Sequence, residues 1–209
     1  MSKPKSSPPE DSPGISRRSF LKGAGVAATG TAVLNAGLLG HASETQSQVI
    51  GPEATNIALN VNGAVKRLSI EPHTTLAEAL RHELNLTGTK IVCDRGSCSA
   101  CTVMLDGMPV NSCTTFALDA VDRKITTIEG LGNPEHLHPL QAAFVQHDGM
   151  QCGYCTPGMV MSCAALLERN PDPAAADVQQ AISGNICRCG TYPKVVEAVL
   201  ATARSRKGA

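Results

Sequence analysis

The run Cys93-Asp94-Arg95-Gly96-Ser97-Cys98-Ser99-Ala100-Cys101 packs three cysteines into nine residues, and Cys113 follows twelve residues beyond Cys101. Three thiols from one tight loop and a fourth from a neighbouring element suit a metal group that the backbone wraps along one edge. Gly96 and the small Ser97, Ser99 and Ala100 permit that close approach. A second set, Cys152-Gly153-Tyr154-Cys155 and Cys187-Arg188-Cys189, has thirty-one residues between its pairs. Each pair directly precedes a helix expected to open at a proline, Pro157 or Pro193, where a missing N–H costs little. Helix N-termini carry partial positive charge, which favours a group that is negative overall.

The first spacing resembles that of plant-type ferredoxins, which bind a [2Fe–2S] cluster through four thiolates. Three readings of the eight cysteines stand side by side: two iron–sulfur clusters, four disulfides, or zinc or dithiol chemistry at the Cys-x-x-Cys pair. Export after folding, argued next, favours the clusters, because a metal group assembled before export explains both the signal and the spacing. Cys163, the ninth cysteine, lies in Met159-Val160-Met161-Ser162-Cys163-Ala164-Ala165-Leu166-Leu167 and reads as a small buried hydrophobe on a core helix.

Residues 1–15 are rich in Pro, Ser and Lys, too polar to fold alone. Arg17-Arg18 then precedes an uncharged stretch from Gly23 to Gly40 that holds five glycines and is too short and mild for a membrane span. Paired arginines before such a stretch read as a twin-arginine export signal over 1–42, with an uncleaved N-terminal anchor as the alternative, a linker over 43–54 and a periplasmic destination. The 209-residue chain carries eighteen basic and eighteen acidic residues, and removing 1–42 leaves thirteen and sixteen. That balance excludes a nucleic-acid partner of the polyanion-binding kind. No later segment is apolar for long enough to span a membrane. Five aromatic residues and no Trp make a small core poor in large anchors, so a metal or covalent staple is expected.

Ile57, Leu59 and Val61 alternate up to Asn62-Gly63, and Leu68 and Ile70 continue the pattern beyond it, which predicts a hairpin. Thr75-Leu76-Ala77-Glu78 predicts a capping box opening a helix to about Leu84. Short strands are expected over 102–105 and 125–128. After a boundary near Gly130–Pro134, four helices are expected, over 138–147, 157–169, 177–183 and 193–204. His136, His138 and His147 match no metal spacing and read as surface or capping residues. No phosphate loop or nucleophile elbow is present. Arg188 reads either as a counter-charge to a bound group or as a partner for a carboxylate.

Thr89-Lys90 leading to Cys93-x4-Cys98-x2-Cys101-Thr102-Val103, the tract Gln151-Cys152-Gly153-Tyr154-Cys155-Thr156-Pro157-Gly158, and Ser183-Gly184-Asn185-Ile186-Cys187-Arg188-Cys189-Gly190 resemble one family closely. It is the iron–sulfur subunit of the molybdenum hydroxylases, the xanthine dehydrogenase and aldehyde oxidoreductase family. The likeness covers about residues 55–205, and with the export signal the chain is most similar to the small subunit of periplasmic aldehyde oxidoreductases. The resemblance implies an α+β chain: a β-grasp ferredoxin-type domain over 55–130, then an all-α four-helix domain over 131–209, each with one [2Fe–2S] cluster. Cys93, Cys98, Cys101 and Cys113 would hold the first cluster, and Cys152, Cys155, Cys187 and Cys189 the second.

The resemblance places catalysis off this chain, on a large subunit carrying molybdopterin in its cytosine dinucleotide form. Gln151 and Cys189 match positions that approach the pterin. Electrons would pass singly to the helical-domain cluster, then to the ferredoxin-type cluster, then to an FAD subunit or a cytochrome. The reaction the resemblance implies is oxidation of an aldehyde or an N-heterocycle. One departure stands out: the family usually has Gly where this chain has Ser99. The other functional class is a free-standing exported ferredoxin-like carrier.

Overall fold

A computed structural model describes residues 51–207. The expected export signal, with Arg17 and Arg18, and the linker up to residue 50 lie outside the described residues. Two alternating strands, β1 (Thr55–Val61) and β2 (Ala64–Ile70), pair antiparallel with Val61 opposite Ala64. Asn62 (φ 52°) and Gly63 (φ 79°) form the two-residue turn between them. Both central residues are left-handed, which matches the twist of the flanking strands.

Thr75 opens the next element with the expected box: its hydroxyl accepts from Glu78 N–H at 3.2 Å, and its N–H donates to Glu78 Oε2 at 2.8 Å. The helix differs from expectation. After one α turn, α1 (Leu76–Glu78), the chain widens into a π turn over Ala79–Glu83, and Leu84 N–H donates to Ala79 O at 3.1 Å. The wider turn still buries Leu76 and Leu80 completely.

Strand β3 (Thr102–Leu105) follows the first cysteine loop, and a turn at Asp106-Gly107 leads into β4 (Met108–Asn111). The last strand, β5 (Lys124–Thr126), is shorter than expected. Ile128 leaves it for a one-turn helix, α2 (Ile128–Leu131), and packs with Leu131 against the helical core. The sheet runs β2-β1-β5-β3-β4, with β1 and β5 parallel and the other pairs antiparallel.

The helices are α3 (Pro139–Gln146), α4 (Thr156–Arg169), α5 (Ala175–Ala181) and α6 (Tyr192–Lys207). Helix α4 is their centre. It buries ten consecutive residues from Gly158 to Leu167 and packs against Phe144, Val178 and Val199. Cys163 sits there fully buried, and burial pushes its thiol up to about 12. His138 caps α3 through Nδ1, which accepts from Leu140 N–H at 3.2 Å.

Strand β3 connects the two halves. All four of its residues are buried; Val103 and Leu105 face the β-grasp core, while Met104 on the opposite face enters the helical core. No helix among the described residues is long and apolar enough to cross a membrane.

Candidate metal centres

The first cysteine loop is a series of tight turns, with Asp94 at φ 52°, Gly96 at φ 73° and Ser99 at φ 53°. They bring Cys93, Cys98 and Cys101 toward Cys113, which the short 3-10 turn after β4 supplies. Gly96 N–H donates to Cys113 Sγ at 3.3 Å, and the Asn111 amide on β4 donates to Gly96 O at 3.0 Å. Cys98, Cys101 and Cys113 are buried, and Cys93 is half-buried. The Cys93 and Cys98 thiols are hydrogen-bond neighbours, as are those of Cys101 and Cys113. Burial would raise the Cys93 thiol, but the N–H groups of Arg95, Ser97 and Cys98 and the Cys98 thiol outweigh it and bring it down to about 7. Burial, with Cys101 and Cys93 alongside, pushes Cys113 up to about 11.

The second set forms at two helix entrances. Cys155 is the N-cap of α4, and Cys187 and Cys189 lie in the loop before α6. Cys155 and Cys187 form the inner pair, while Cys152 and Cys189 are neighbours at the exposed edge. Tyr192 holds this loop: its hydroxyl accepts from Cys187 N–H at 2.8 Å and donates to Asn185 O at 3.0 Å. Burial opposes ionisation of Cys187, yet the Thr191 hydroxyl, 3.3 Å from Sγ, and backbone N–H groups draw the thiol down to about 7. Burial and the facing Cys187 drive Cys155 up to about 12. Gln151 is exposed beside Cys152. An apolar groove of about 240 Å³ opens alongside, lined by Leu137, Phe144, Val145, Met150, Gly153 and Val160.

The two loops touch. Ile186 N–H donates to Cys98 O at 3.1 Å, and the Asn185 amide donates to Ser99 O at 3.0 Å. Gly158 on α4 presses against the same turn; a Cβ there would lie 2.2 Å from Ser99 O. No sequence signal singled out Asn185, Thr191 or Tyr192. Asn185 lies inside a tract notable for its cysteines, but nothing local in the sequence gives it a partner 86 residues away.

The donor chemistry fits [2Fe–2S] clusters. In each set of four the cysteines stand as two pairs, as two irons require. Among the described residues two buried hydroxyls lack a partner, Thr89 Oγ1 and Thr156 Oγ1. One belongs to the segment leading into the first set and the other directly follows Cys155.

Comparison with known proteins agrees. Residues 59–125 match the 2Fe-2S iron-sulfur cluster binding domain, residues 127–200 the [2Fe-2S] binding domain, and residues 14–33 the twin-arginine translocation pathway signal sequence. The aldehyde oxidoreductase iron-sulfur-binding subunit of Escherichia coli (strain K12) is 40% identical over 201 residues, 88% of this chain and 86% of that protein. The nicotine 6-hydroxylase small subunit of Paenarthrobacter nicotinovorans is 45% identical over 148 residues, 71% of this chain and 89% of its own. Quinoline 2-oxidoreductase from Pseudomonas putida 86 superposes with a TM-score of 0.71 at 40% identity, over 75% of this chain and 98% of the chain compared.

Proposed function

The chain belongs to the iron–sulfur small subunits of aldehyde oxidoreductase- and xanthine dehydrogenase-type molybdenum enzymes, and from that premise we propose that it is the electron-transfer subunit of an exported, periplasmic complex. When bound, two [2Fe–2S] clusters supply two one-electron stations. Cys93, Cys98, Cys101 and Cys113 hold one, with Gly96 N–H aimed at the Cys113 sulfur. Cys152, Cys155, Cys187 and Cys189 hold the other, with the Thr191 hydroxyl beside Cys187.

The exposed edge at Cys152 and Cys189 is the entry side, and Gln151 and Cys189 are the contacts toward molybdopterin on a large subunit. The adjoining apolar groove and the exposed Leu137, Val145 and Tyr154 support docking of that subunit here, since a lone soluble surface gains nothing from them. Electrons leave through the ferredoxin-type module to an FAD subunit or a cytochrome. The partner's reaction is oxidation of an aldehyde or an N-heterocycle.

The observation that supports this reading is that the cysteines of each set of four are neighbours, one set mostly buried and the other reaching an exposed edge at Cys152 and Cys189. The test is anaerobic purification of the exported complex through a tag on this chain. Expected are about four irons with matching acid-labile sulfide per chain, and a larger partner that contains molybdenum. Zinc without labile sulfide overturns the cluster assignment; full iron on a chain that purifies alone overturns membership of a complex in favour of a free carrier.

A further inference from the structure

The carbonyl of Ser99 is the point at which three separate parts of the chain meet. Thr102 donates to it from its hydroxyl at 2.8 Å, and the Asn185 side-chain amide donates from 86 residues away at 3.0 Å. The backbone of α4 closes on it at Gly158. The next residue, Ile186, donates its N–H to Cys98 O at 3.1 Å. Two consecutive residues of the second loop thus grip two consecutive carbonyls of the first.

Both ends of this grip belong to cysteine loops. Cys98 is itself a candidate ligand of the first cluster, and Ile186 directly precedes Cys187, a candidate ligand of the second. Asn185 is 3% exposed, so its amide has little access to water. Its backbone is fixed too: its N–H donates to Ile182 O at 2.9 Å, and its carbonyl accepts from the Tyr192 hydroxyl that also holds Cys187. A buried donor held so firmly, pointed at one carbonyl, transmits position rather than merely filling space.

We infer that Asn185 is a positioning residue for electron transfer between the two clusters: its amide, clamped on Ser99 O, fixes the separation and orientation of the two thiolate sets. The inference rests on the cluster assignment proposed above. Transfer between two buried one-electron sites depends on their distance and on the bonded contacts joining them. A loop that slips by a fraction of an ångström changes both without removing a ligand.

The test compares Asn185→Ala, which removes the donor, with Asn185→Ser, which keeps a shorter one, and with Thr102→Val. The last removes a different hydrogen bond to the same carbonyl and leaves the grip between loops intact. Each is prepared as the full complex and assayed first for iron and acid-labile sulfide, then by EPR on partly and fully reduced samples. With its full iron load, Asn185→Ala is expected to lose the magnetic splitting between the two reduced clusters. It is also expected to redistribute an electron between them severalfold more slowly, with Asn185→Ser intermediate and Thr102→Val unchanged. A purely structural role would alter loading or thermal stability without altering the splitting.

An Asn185→Ala protein with full iron, normal splitting and a normal redistribution rate overturns the inference, as does the same result for Asn185→Ser where the alanine variant does not load. Wild-type complex lacking two cluster signals overturns the cluster assignment instead, so the two failures are distinguishable.

Discussion

Gly158→Ala asks whether the contact between α4 and the first cysteine loop is as tight as it looks. The added Cβ would stand 2.2 Å from Ser99 O and 3.1 Å from Ala100 Cα and C. Carbon contacts settle at about 3.5 Å or more, so the two backbones must part by about 1 Å. Ser99 O cannot swing aside freely, because the Thr102 hydroxyl and the Asn185 amide both hold it. Overpacking of this kind costs about 1–3 kcal/mol, while replacing a helical glycine returns up to about 1 kcal/mol, for a net loss of about 1–2 kcal/mol. For a folded unit of this size that lowers the unfolding midpoint by about 2–8 °C. The assay is thermal unfolding followed by circular dichroism on anaerobic, equally loaded protein. Gly51→Ala is the matched control, since a Cβ there meets nothing within 4 Å. A Gly158→Ala midpoint no lower than the control's would refute the close approach and, with it, the rigidity assigned to this contact.

Arg17→Lys together with Arg18→Lys should leave a fully iron-loaded protein in the cytoplasm, checked by fractionation, because the pair is an address rather than part of the fold. Thiol alkylation of the folded, cluster-free chain should spare Cys163, whose burial holds it as the thiol near 12, and Cys163→Ala should cost about 1 kcal/mol without changing iron content. Glu78 is held below its ordinary 4.5 by the N–H of Thr75 and then by its hydroxyl, so its stabilisation is complete at neutral pH and is lost as pH falls through the lowered value. Glu78→Gln should therefore unfold a few tenths of a kcal/mol more easily at pH 7 and show a flatter acid limb, measured by urea titration at several pH values.

What could be read from the sequence was local chemistry: the Asn62-Gly63 turn, the Thr75 box, the proline-started helices and the spacing of both cysteine groups. What escaped was set by tertiary packing. Strand β4 contains Pro109 and spans only four residues, too little for an alternating signal, yet its pairing with β3 places Asn111 over Gly96. Ile128 looked like strand because it is β-branched and apolar, but the helical core claims its side chain. Nothing around Ala79–Glu83 marks the π turn. Nor does anything local announce what Ser99 does: it holds φ 53°, a conformation that costs a side-chain-bearing residue about 1–2 kcal/mol, and its carbonyl is where the two loops join.

Strand β3 has no outside. A sheet strand normally offers one face to its own core and leaves the other for whatever comes along, but here Val103 and Leu105 belong to one module and Met104 to the next. The two halves therefore have a party wall, and neither can be cut away without opening the neighbour's interior. A truncated ferredoxin-type half would present Met104 bare to water, and a truncated helical half would have a hole where that side chain was. Damage is expected to travel the same way: Met104→Ala, although it lies in a strand of the ferredoxin-type half, should raise amide exchange along α4 before it is felt in β1 or β2.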